Sequence, residues 1–525
     1  MDNREDFRSI LPFLPVTVRF SAVSWPPAVV QTFQSLSRGP SHSNVNSGRR
    51  FALAIADLRN SLGLCSLHPS TPRGFSLFFD DLIIKDEAEK WFLEVVPQLA
   101  DLLLRLPALL EAHYQNAGFF NGMETGLRLL QAQQSGIVFL SQELIAALLA
   151  CALFCLFPTT NRGSKNLQHI NFDKLFALLY ECKKTNQENK MKCIIHYFEK
   201  VGMNMPTGNV SFERKVLPLR NSSPSDVVYP DADFWSKSNN SLCRFEVHTS
   251  GKIEDQSNEV LEVDFADKYI GGLVLKQGCV QEETRFAINP ELIVSMLFLP
   301  MMADNEAIEM VGAERFSNYT GYNTSLRFLG NYEDKKCVDS MGRRRTRVIA
   351  IDALDRPGNT QYRTECLLRE TNKAFCGFLD RHNEGEIGVA TGNWGCGVFG
   401  GDPEVKVVMQ WLAASQASRP FISYYTFGLE SLKKLEVVVQ RIASQKWSVG
   451  ELWSKLVAYS TQKLRGETTV GFFKWLIPSI RDGNGAGRGS HLKTETRSHY
   501  PMGRGWSSYH GPRGSGVGAF RSNCF

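Results

Sequence analysis

Apolar residues in the first part of the chain recur three or four positions apart, which is the spacing of one face of a helix. Between residues 87 and 108 this face comprises Trp91, Phe92, Val95, Val96, Leu99, Leu102, Leu103 and Leu106. Pro97 and Pro107 interrupt it. A second apolar run covers residues 144–157 and stops at Pro158. Because a bilayer span takes about 20 residues, we expect this run to form a buried core helix, and we expect no membrane contact.

After about residue 216 the pattern changes to short β-branched or aromatic stretches separated by helical ones. Strands are predicted over residues 242–248, 260–266, 347–354, 387–391 and 421–427. Helices are predicted over residues 280–288, 290–299, 366–379 and 403–417. Strands that alternate with helices predict an α/β fold, in which helices cover both faces of a sheet. Ligands of such sheets bind at the carboxyl ends of the strands.

These patterns divide the chain into four segments. Residues 1–50 contain scattered Pro and Ser, so we expect a variable, loosely ordered lead-in. Residues 51–215 are predicted to form a helical accessory domain, and residues 216–480 the α/β domain. Residues 481–525 contain ten glycines and three Arg-Gly pairs without an apolar face, which predicts a disordered tail.

The formal net charge of +5 has to be located before it is interpreted. The tail, residues 481–525, holds seven Lys and Arg against two acidic residues, which accounts for the whole excess. An Arg- and Gly-rich tail is a candidate RNA-binding segment. The remaining chain is charge-balanced.

Cysteine usage and the amino terminus bear on the compartment. Twelve cysteines in 525 residues are too few for a disulfide scaffold, and none is spaced Cys-x-x-Cys. Acidic residues at positions 2, 5 and 6 stand where a secretory signal requires basic ones. We therefore expect reduced thiols in an intracellular protein of the nucleus or the cytoplasm. The basic run 343–347 is either a nuclear signal or the polar entry to a strand.

A glycine-containing loop, residues 269–283, follows the strand predicted to end at residue 266. Gly271 and Gly272 let the backbone approach a ligand closely. The helix predicted from residue 280 directs free N–H groups towards an anion. Glu282 and Glu283 lie in its first turn, where acidic residues stabilise a helix start in any protein. Taken alone, the pair therefore indicates either helix capping or chemistry.

A second glycine loop covers residues 390–404. Asp402 and Pro403 suit the N-cap and the first position of a helix. Residues 395–400 match the dinucleotide-binding glycine pattern, which requires an acidic residue about 20 positions further on to hold a ribose. No Asp or Glu occurs in residues 405–429. This argues against the interpretation of the chain as a nicotinamide-dependent dehydrogenase. The loop is then either a phosphate-binding loop or a structural turn.

Six separated motifs together resemble the poly(ADP-ribose) glycohydrolase family, and they occur in that family's order. They are Val263-Asp264-Phe265-Ala266, Gly271-Gly272, Gln281-Glu282-Glu283, Asn289-Pro290-Glu291-Leu292, Tyr319-Thr320-Gly321-Tyr322 and the run from Thr391 to Asp402. The similarity extends from about residue 79 to residue 476 and is closest to plant members. It implies a macrodomain-like mixed sheet flanked by helices, with an N-terminal helical accessory domain.

The resemblance also implies a reaction. It is hydrolysis of the ribose–ribose O-glycosidic bond in poly(ADP-ribose), which releases ADP-ribose. The implied partners are the polymer and poly(ADP-ribosyl)ated proteins. The resemblance implies neither a metal nor an organic cofactor, and we expect a monomer.

The same motifs imply roles for individual residues. Glu283 matches the general acid/base, Glu282 the carboxylate that positions the ribose, and Asp264 a supporting acid. The positions that match substrate-binding residues are Ile253, Glu254 and Gln281 at the adenine, Tyr322 and Phe427 around the terminal ADP-ribose, and the loop residues Asp267, Gly271, Gly272, Asn393, Gly395, Cys396, Gly397, Val398 and Phe399. A helix start favours the ionised form of a carboxyl group and so opposes proton donation by Glu283. We expect burial beside Glu282 to offset this effect and to keep Glu283 protonated when substrate binds.

Two residues of the first loop depart from the family. Leu273 replaces the third of three consecutive glycines, and a leucine adopts a left-handed backbone only at a cost. Asp267 replaces an Asn, which exchanges a donor–acceptor amide for a carboxylate that only accepts. We therefore expect a weak or specialised hydrolase. The alternatives are a protein that binds ADP-ribose or its polymer without cleaving it, and a structural body that carries an RNA-binding tail.

Overall fold

An eight-stranded mixed sheet forms the centre of the structure, a computed structural model that describes residues 4–220, 227–256, 258–381 and 387–479. Its strands are β1 (Gly136–Ser141), β2 (Asn209–Val216), β3 (Arg244–His248), β4 (Leu261–Ala266), β5 (Glu306–Val311), β6 (Arg347–Asp352), β7 (Val389–Gly392) and β8 (Phe421–Tyr425). They are arranged in the order β1-β2-β5-β6-β4-β7-β8-β3. The predicted Arg/Gly-rich tail lies outside the described residues.

The parallel half of the sheet, β6-β4-β7-β8-β3, brings five strand ends to one edge. The register pairs Asp352 with Ala266 and Gly392 with Tyr425, so these strands end nearly level. All five strands are those predicted from the sequence, with ends displaced by a few residues. The macrodomain-like mixed sheet that the motifs implied is confirmed.

The antiparallel half, β1-β2-β5, was not predicted, and two of its strands come from residues assigned to the helical domain. Strand β2 is buried along nearly its whole length although it contains three charged residues in succession. Arg214 contacts Glu306, and Lys215 lies 3.0 Å from Glu309, both partners being on β5. Buried charges need such partners. Because of the charged residues, the strand lacks the alternation of apolar and polar positions by which strands were predicted.

Helices cover both faces of the sheet and build the N-terminal part. They are α1 (Glu5–Ile10), α2 (Pro27–Ser37), α3 (Pro40–Ser43), α4 (Gly48–Ser61), α5 (Thr71–Ser76), α6 (Lys85–Lys90), α7 (Val96–Asn116), α8 (Gln142–Leu153), α9 (Asp173–Cys182), α10 (Thr185–Met203), α11 (Ala232–Ser236), α12 (Gln281–Ile288), α13 (Thr364–Phe378), α14 (Pro403–Gln416), α15 (Leu435–Ser444), α16 (Val449–Leu464) and α17 (Phe472–Leu476). A 3-10 helix, Pro290–Leu297, follows α12.

The predicted apolar helices form, although proline does not end the first of them. A π-helical stretch, Trp91–Val95, joins α6 to α7, and Pro107 lies inside α7. Pro97 is the second residue of α7, which directly follows this π-helical stretch. The run 144–157 forms most of α8 and is buried throughout. Across the described residues no helix combines the length and apolar character needed to span a membrane.

Residues 4–50 differ from the loosely ordered lead-in that composition suggested. Phe7, Ile10 and Phe33 are buried in the core of the helical part. The indole N–H of Trp25 donates to the carbonyl of Leu103 on α7 at 2.7 Å. Short helices with few apolar residues gave little periodic signal, and long-range packing on α7 orders them.

The basic run 343–347 is tied into the body of the protein. Arg343 is buried and binds Asp339 at 2.8 Å, while Arg347 binds Glu259 at 2.6 Å. Arg345 reaches the same Glu259. These ion pairs favour the interpretation of the run as an entry to strand β6.

Close approach of two helices supplies a test of packing. A Cβ on Gly74 of α5 would lie 2.0 Å from the carbonyl oxygen of Phe176 on α9. Gly74→Ala should lower the free energy of unfolding by about 1–3 kcal/mol, because the backbone of one helix has to move. Urea unfolding measures this difference. Gly163→Ala is the matched control, since nothing lies within 4 Å of its Cβ, and an equal loss in both variants would contradict the packing argument.

Candidate active site

Two glycine-containing loops meet at the carboxyl edge of the parallel strands. The first joins β4 to α12, and the second joins β7 to α14. Asn393, at the start of the second loop, donates its amide to the carbonyl of Thr426, which follows β8, at 3.0 Å. A Cβ on Gly395 would lie 2.6 Å from that of Ala353, which follows β6. The ends of four neighbouring strands therefore build one site.

The first loop binds both glutamates through its main chain. Glu282 accepts from the N–H groups of Asp267 at 2.9 Å and Gly271 at 2.7 Å. Glu283 accepts from the N–H groups of Leu273 at 2.9 Å and Val280 at 2.8 Å. Only the last of these bonds caps the helix that carries the glutamates. Capping therefore accounts for one bond of four, and the other three hold the carboxylates against the loop.

Glycine is required where the loop touches these carboxylates. Gly271 and Gly272 have positive φ, 86° and 50°. A Cβ on Gly272 would lie 2.4 Å from Oε2 of Glu282 and 2.8 Å from Oε1 of Glu283. A Cβ on Gly278 would lie 2.4 Å from the carboxyl carbon of Glu283. Sequence reasoning missed Gly278, whose only local signal is a glycine two residues before the helix cap.

Asp264 lies on strand β4, close enough to interact with Glu283, and is almost completely buried. Neither carboxyl oxygen has a hydrogen-bond partner among the described residues. Burial, reinforced by Glu283 and opposed by Arg285, raises the pKa of Asp264 to about 8. Burial and then the charges of Asp264 and Glu283 also raise the pKa of Glu282 well above its usual range. Asp264 and Glu282 therefore hold their protons more tightly than ordinary carboxyl groups do.

Gln281, Ile253 and Glu254 lie close to the same edge. The side-chain amide of Gln281 accepts from the N–H of Phe265 at 2.8 Å and donates to the carbonyl of Val263 at 3.1 Å, which ties α12 to strand β4. Ile253 is buried in a 3-10 helix, Ile253–Asp255, that packs against β4 and β7. Glu254, next to it, accepts from the hydroxyl of Tyr319.

The second loop presents its middle to solvent. Gly397 is exposed, with nothing within 4 Å of the position of a Cβ, and Val398 is exposed. Cys396 is partly buried, and burial followed by the charge of Asp402 raises the pKa of its thiol. Phe399 is half-buried, and its carbonyl accepts from the N–H of Arg356 at 2.9 Å. The open main chain of this loop is a surface that a ligand can reach.

Below the second loop the chain is rigidly supported. Trp394 is buried and donates its indole N–H to Ile351 of β6 at 2.9 Å. The ammonium of Lys406, on α14, lies 3.9 Å from the centre of that ring and contacts Glu370. A Cβ on Gly395 would lie 3.1 Å from the same ammonium. The loop thus has an exposed tip above a buried base that these contacts hold.

Four large apolar or aromatic side chains on and around the two loops are exposed. Leu273, Tyr322, Val398 and Phe427 are between 49% and 65% exposed. Phe427 has a positive φ of 48°, an unfavourable conformation for a phenylalanine, and its ring lies 2.9 Å from where a Cβ on Gly392 would be. Burial of the Tyr322 hydroxyl and the charge of Glu283 raise the pKa of Tyr322, against the N–H of Gln281. Its ring is open to solvent while its hydroxyl faces the glutamates.

Comparison with known proteins decides the family. The family model described as "Poly (ADP-ribose) glycohydrolase (PARG), Macro domain fold" matches residues 232–434, and the one described as the "helical domain" matches residues 83–214. The chain belongs to the poly(ADP-ribose) glycohydrolase family. It is a glycosidase of that family.

Plant members of the poly(ADP-ribose) glycohydrolase family are similar over nearly the whole chain. Poly(ADP-ribose) glycohydrolase 1 of Arabidopsis thaliana is 51% identical, over 93% of this chain and 99% of its own length. Probable poly(ADP-ribose) glycohydrolase 2 of the same plant is 52% identical, over 91% of this chain and 100% of its own. A crystal structure of poly(ADP-ribose) glycohydrolase from Thermomonospora curvata aligns with 17% identity and a TM-score of 0.26, over 40% of this chain and 78% of its own.

The two departures from the family pattern are accommodated in the loop. Leu273 is not among the described residues with positive φ, so the expected backbone penalty is absent. Its side chain is exposed, and its N–H binds Glu283. The carboxylate of Asp267 accepts from the N–H of Tyr269 at 2.8 Å, a bond that an asparagine oxygen would also accept. What these side chains do to a bound ligand stays a prediction.

The retained proton of Asp264 predicts a pH dependence of stability. The unfolded chain loses this proton near pH 4 and the folded protein near pH 8, so the folded state binds more protons between these values. The free energy of unfolding therefore falls as pH rises through this window. Asp264→Asn removes the effect, and its stability relative to the unchanged protein should rise by at least about 1 kcal/mol from pH 5 to pH 8.

Urea unfolding at both pH values measures this gain. Asp57→Asn, at an exposed aspartate of α4, is the control and should show the same difference at both. A constant offset for Asp264→Asn would mean that Asp264 is ionised in the folded protein.

Proposed function

We propose that this chain hydrolyses the ribose–ribose O-glycosidic bond of poly(ADP-ribose) and releases ADP-ribose, with Glu283 as general acid/base. The observation that carries the proposal is the position of Glu283, buried beside Glu282 while its carboxylate faces a glycine loop at the carboxyl edge of the sheet. Family membership and the two similar plant glycohydrolases support it.

The proposed reaction needs one carboxyl group to act twice. Glycoside cleavage passes through an oxocarbenium-like state, so the leaving ribose oxygen must receive a proton as its bond to the anomeric carbon breaks. Glu283 gives this proton and then, as a carboxylate, takes one from the water that attacks the same carbon. The carboxyl group is regenerated, and both products carry a hydroxyl.

Glu282 and Asp264 support this step in the proposal. Glu282 is fixed by two main-chain N–H groups, so its carboxyl group is held in place to position a ribose hydroxyl. Asp264 contributes a protonated carboxyl below the pair, which limits the negative charge near Glu283. No step of the proposed reaction requires a metal or an organic cofactor.

Substrate binding is proposed to rely on main-chain groups and aromatic rings. Ile253, Glu254 and Gln281 would hold the adenine, and Tyr322 and Phe427 would pack around the terminal ADP-ribose. The diphosphate would lie along the second loop, from Gly395 to Phe399, whose exposed tip would offer main-chain N–H groups. Phe427 is exposed and has a strained backbone, which is typical of residues at ligand-binding sites, where ligand binding offsets the free-energy cost of the strain.

Several expectations from the sequence stay predictions. They are the nuclear or cytoplasmic compartment, the monomeric state, modified proteins as partners, and RNA contact through residues 481–525. The last lies outside the described residues.

Replacement of the proposed acid tests the mechanism. Glu283→Gln keeps the shape of the side chain and cannot donate the proton, so kcat should fall by about 100-fold or more while the Kd for ADP-ribose changes little. Release of ADP-ribose from labelled polymer and calorimetric binding of ADP-ribose measure the two quantities.

Glu365→Gln is the matched control, because Glu365 also lies in the first turn of a helix, α13, and is exposed. Its turnover should match that of the unchanged protein. Near-normal turnover of Glu283→Gln would remove Glu283 from the role of acid.

The departures in the first loop supply a second test. Leu273→Gly together with Asp267→Asn should raise kcat/KM by about fivefold, about 1 kcal/mol of transition-state stabilisation, because a bulky side chain and a negative charge leave the path of the diphosphate. The polymer-release assay measures it. An unchanged kcat/KM would show that the loop already accommodates its substrate.

The same assay separates a hydrolase from a binding protein. If the unchanged protein binds ADP-ribose and releases none from the polymer, the site is a reader of ADP-ribose and the proposed reaction is wrong.

A further inference from the structure

One side chain of the helical part contacts the glycine loop from the side opposite the glutamates. Gln168 lies between the 3-10 helix Gly163–Lys165 and α9, and its side-chain amide nitrogen lies 2.8 Å from the carbonyl oxygen of Tyr269, 3.3 Å from that of Ile270 and 3.0 Å from that of Gly272. Residue 168 is about a hundred positions from the loop in sequence. Neither the motifs nor the proposed reaction gives it a role.

Two of the three carbonyls that Gln168 contacts, those of Ile270 and Gly272, belong to peptide units that hold the glutamates. In a trans peptide the C=O of one residue and the N–H of the next point in opposite directions. In the peptide group that joins Ile270 to Gly271, the C=O accepts from Gln168 and the N–H donates to Glu282. The unit of Gly272 and Leu273 gives its C=O to Gln168 and its N–H to Glu283.

Gln168 is itself held firmly. The buried guanidinium of Arg162 donates to the main-chain carbonyl of Gln168 at 2.7 Å from Nε and to that of Met296 at 2.8 Å. Met296 belongs to the 3-10 helix that follows α12. Arg162 therefore ties the backbone of Gln168 to the 3-10 helix that directly follows α12, the helix that carries the glutamates.

The far arm of the loop is bound by two residues of α10. The buried ammonium of Lys190 donates to the carbonyls of Lys276 and Gly278 at 2.7 and 2.6 Å. Gln187 donates to the carbonyl of Gln277 at 2.7 Å, and the N–H of that peptide unit, at Gly278, goes to the carbonyl of Leu273. These bonds fix the loop without acting on a peptide unit that binds a glutamate.

We propose that Gln168 is a positioning residue for Glu282 and Glu283: by binding the carbonyls of Ile270 and Gly272 it orients the two N–H groups that hold the carboxylates. The helical part thereby sets the geometry of the catalytic pair, an inference that rests on the proposed function for its effect on turnover. Without the amide, both peptide units can rotate, and the glutamates lose the fixed direction that proton transfer requires.

The test compares two glutamine-to-methionine variants of the full chain. Gln168→Met keeps the length of the side chain and removes its N–H groups. Gln187→Met makes the same change on the arm of the loop that does not bind a glutamate. Lys192→Met, at a partly exposed lysine of α10 that pairs with Glu188, reports any general effect of a new methionine.

Amide hydrogen exchange in the free protein gives the first readout. In Gln168→Met the N–H groups of Gly271 and Leu273 should exchange at least about 10-fold faster than in the unchanged protein. They should exchange at the unchanged rate in Gln187→Met and Lys192→Met. Unchanged exchange at both positions in Gln168→Met, or equal acceleration in Gln187→Met, would overturn the inference.

Turnover of poly(ADP-ribose) gives the second readout. In Gln168→Met kcat should fall by about 10-fold or more, while the Kd for ADP-ribose stays within about threefold, because orientation and not binding is lost. A rise in Kd that accounts for the whole loss would assign Gln168 to binding and overturn the inference. If the unchanged protein releases no ADP-ribose, the proposed function fails, and the exchange comparison still decides the role of Gln168.

Discussion

Hydrogen bonds from main-chain N–H groups to the carboxylates of Glu282 and Glu283 hold the site together. They require the loop backbone to lie against the carboxyl groups, and that contact leaves no room for a Cβ at Gly272 or Gly278. The same bonds fix the first turn of α12, because one of them closes on Val280 at the helix cap. Loop, helix start and acidic pair therefore form one unit, and none of the three keeps its geometry without the other two.

Burial of charge is the second constraint on this fold. The antiparallel strands carry Arg214 and Lys215 into the core, and Glu306 and Glu309 on the neighbouring strand match them. Below the second glycine loop, Asp352 binds both Arg369 and Lys373 at 2.6 Å. Ionised groups in a low dielectric need an opposite charge or hydrogen bonds of this kind. Asp264 lacks such a bond among the described residues, and its burial raises its pKa to about 8.

An anionic ligand does not need a basic groove in this protein. The excess positive charge belongs to residues 481–525, and the rest of the chain is neutral. The second loop instead has exposed residues at Gly397 and Val398 above a buried base formed by Trp394 and Lys406. Under the proposed function, main-chain N–H groups there would supply partial charges in fixed directions, which suits recognition of one diphosphate better than attraction to any polyanion.

Local chemistry made much of this site predictable from the sequence. Alternation in β4 and β7, glycines after each strand, and Asp402 with Pro403 at the start of α14 are short-range signals, so the sequence by itself determined the parallel strands, both loops and the acidic pair. It did not reveal β1, the strands β2 and β5, whose charged residues disguise their burial, or the order of residues 4–50. Only the tertiary structure decided which peptide N–H groups reach the glutamates and that Gln168 holds those units from behind. The reason is physical: no local preference marks a glutamine whose partners lie a hundred residues away, because its role exists only once helices and sheet have packed together.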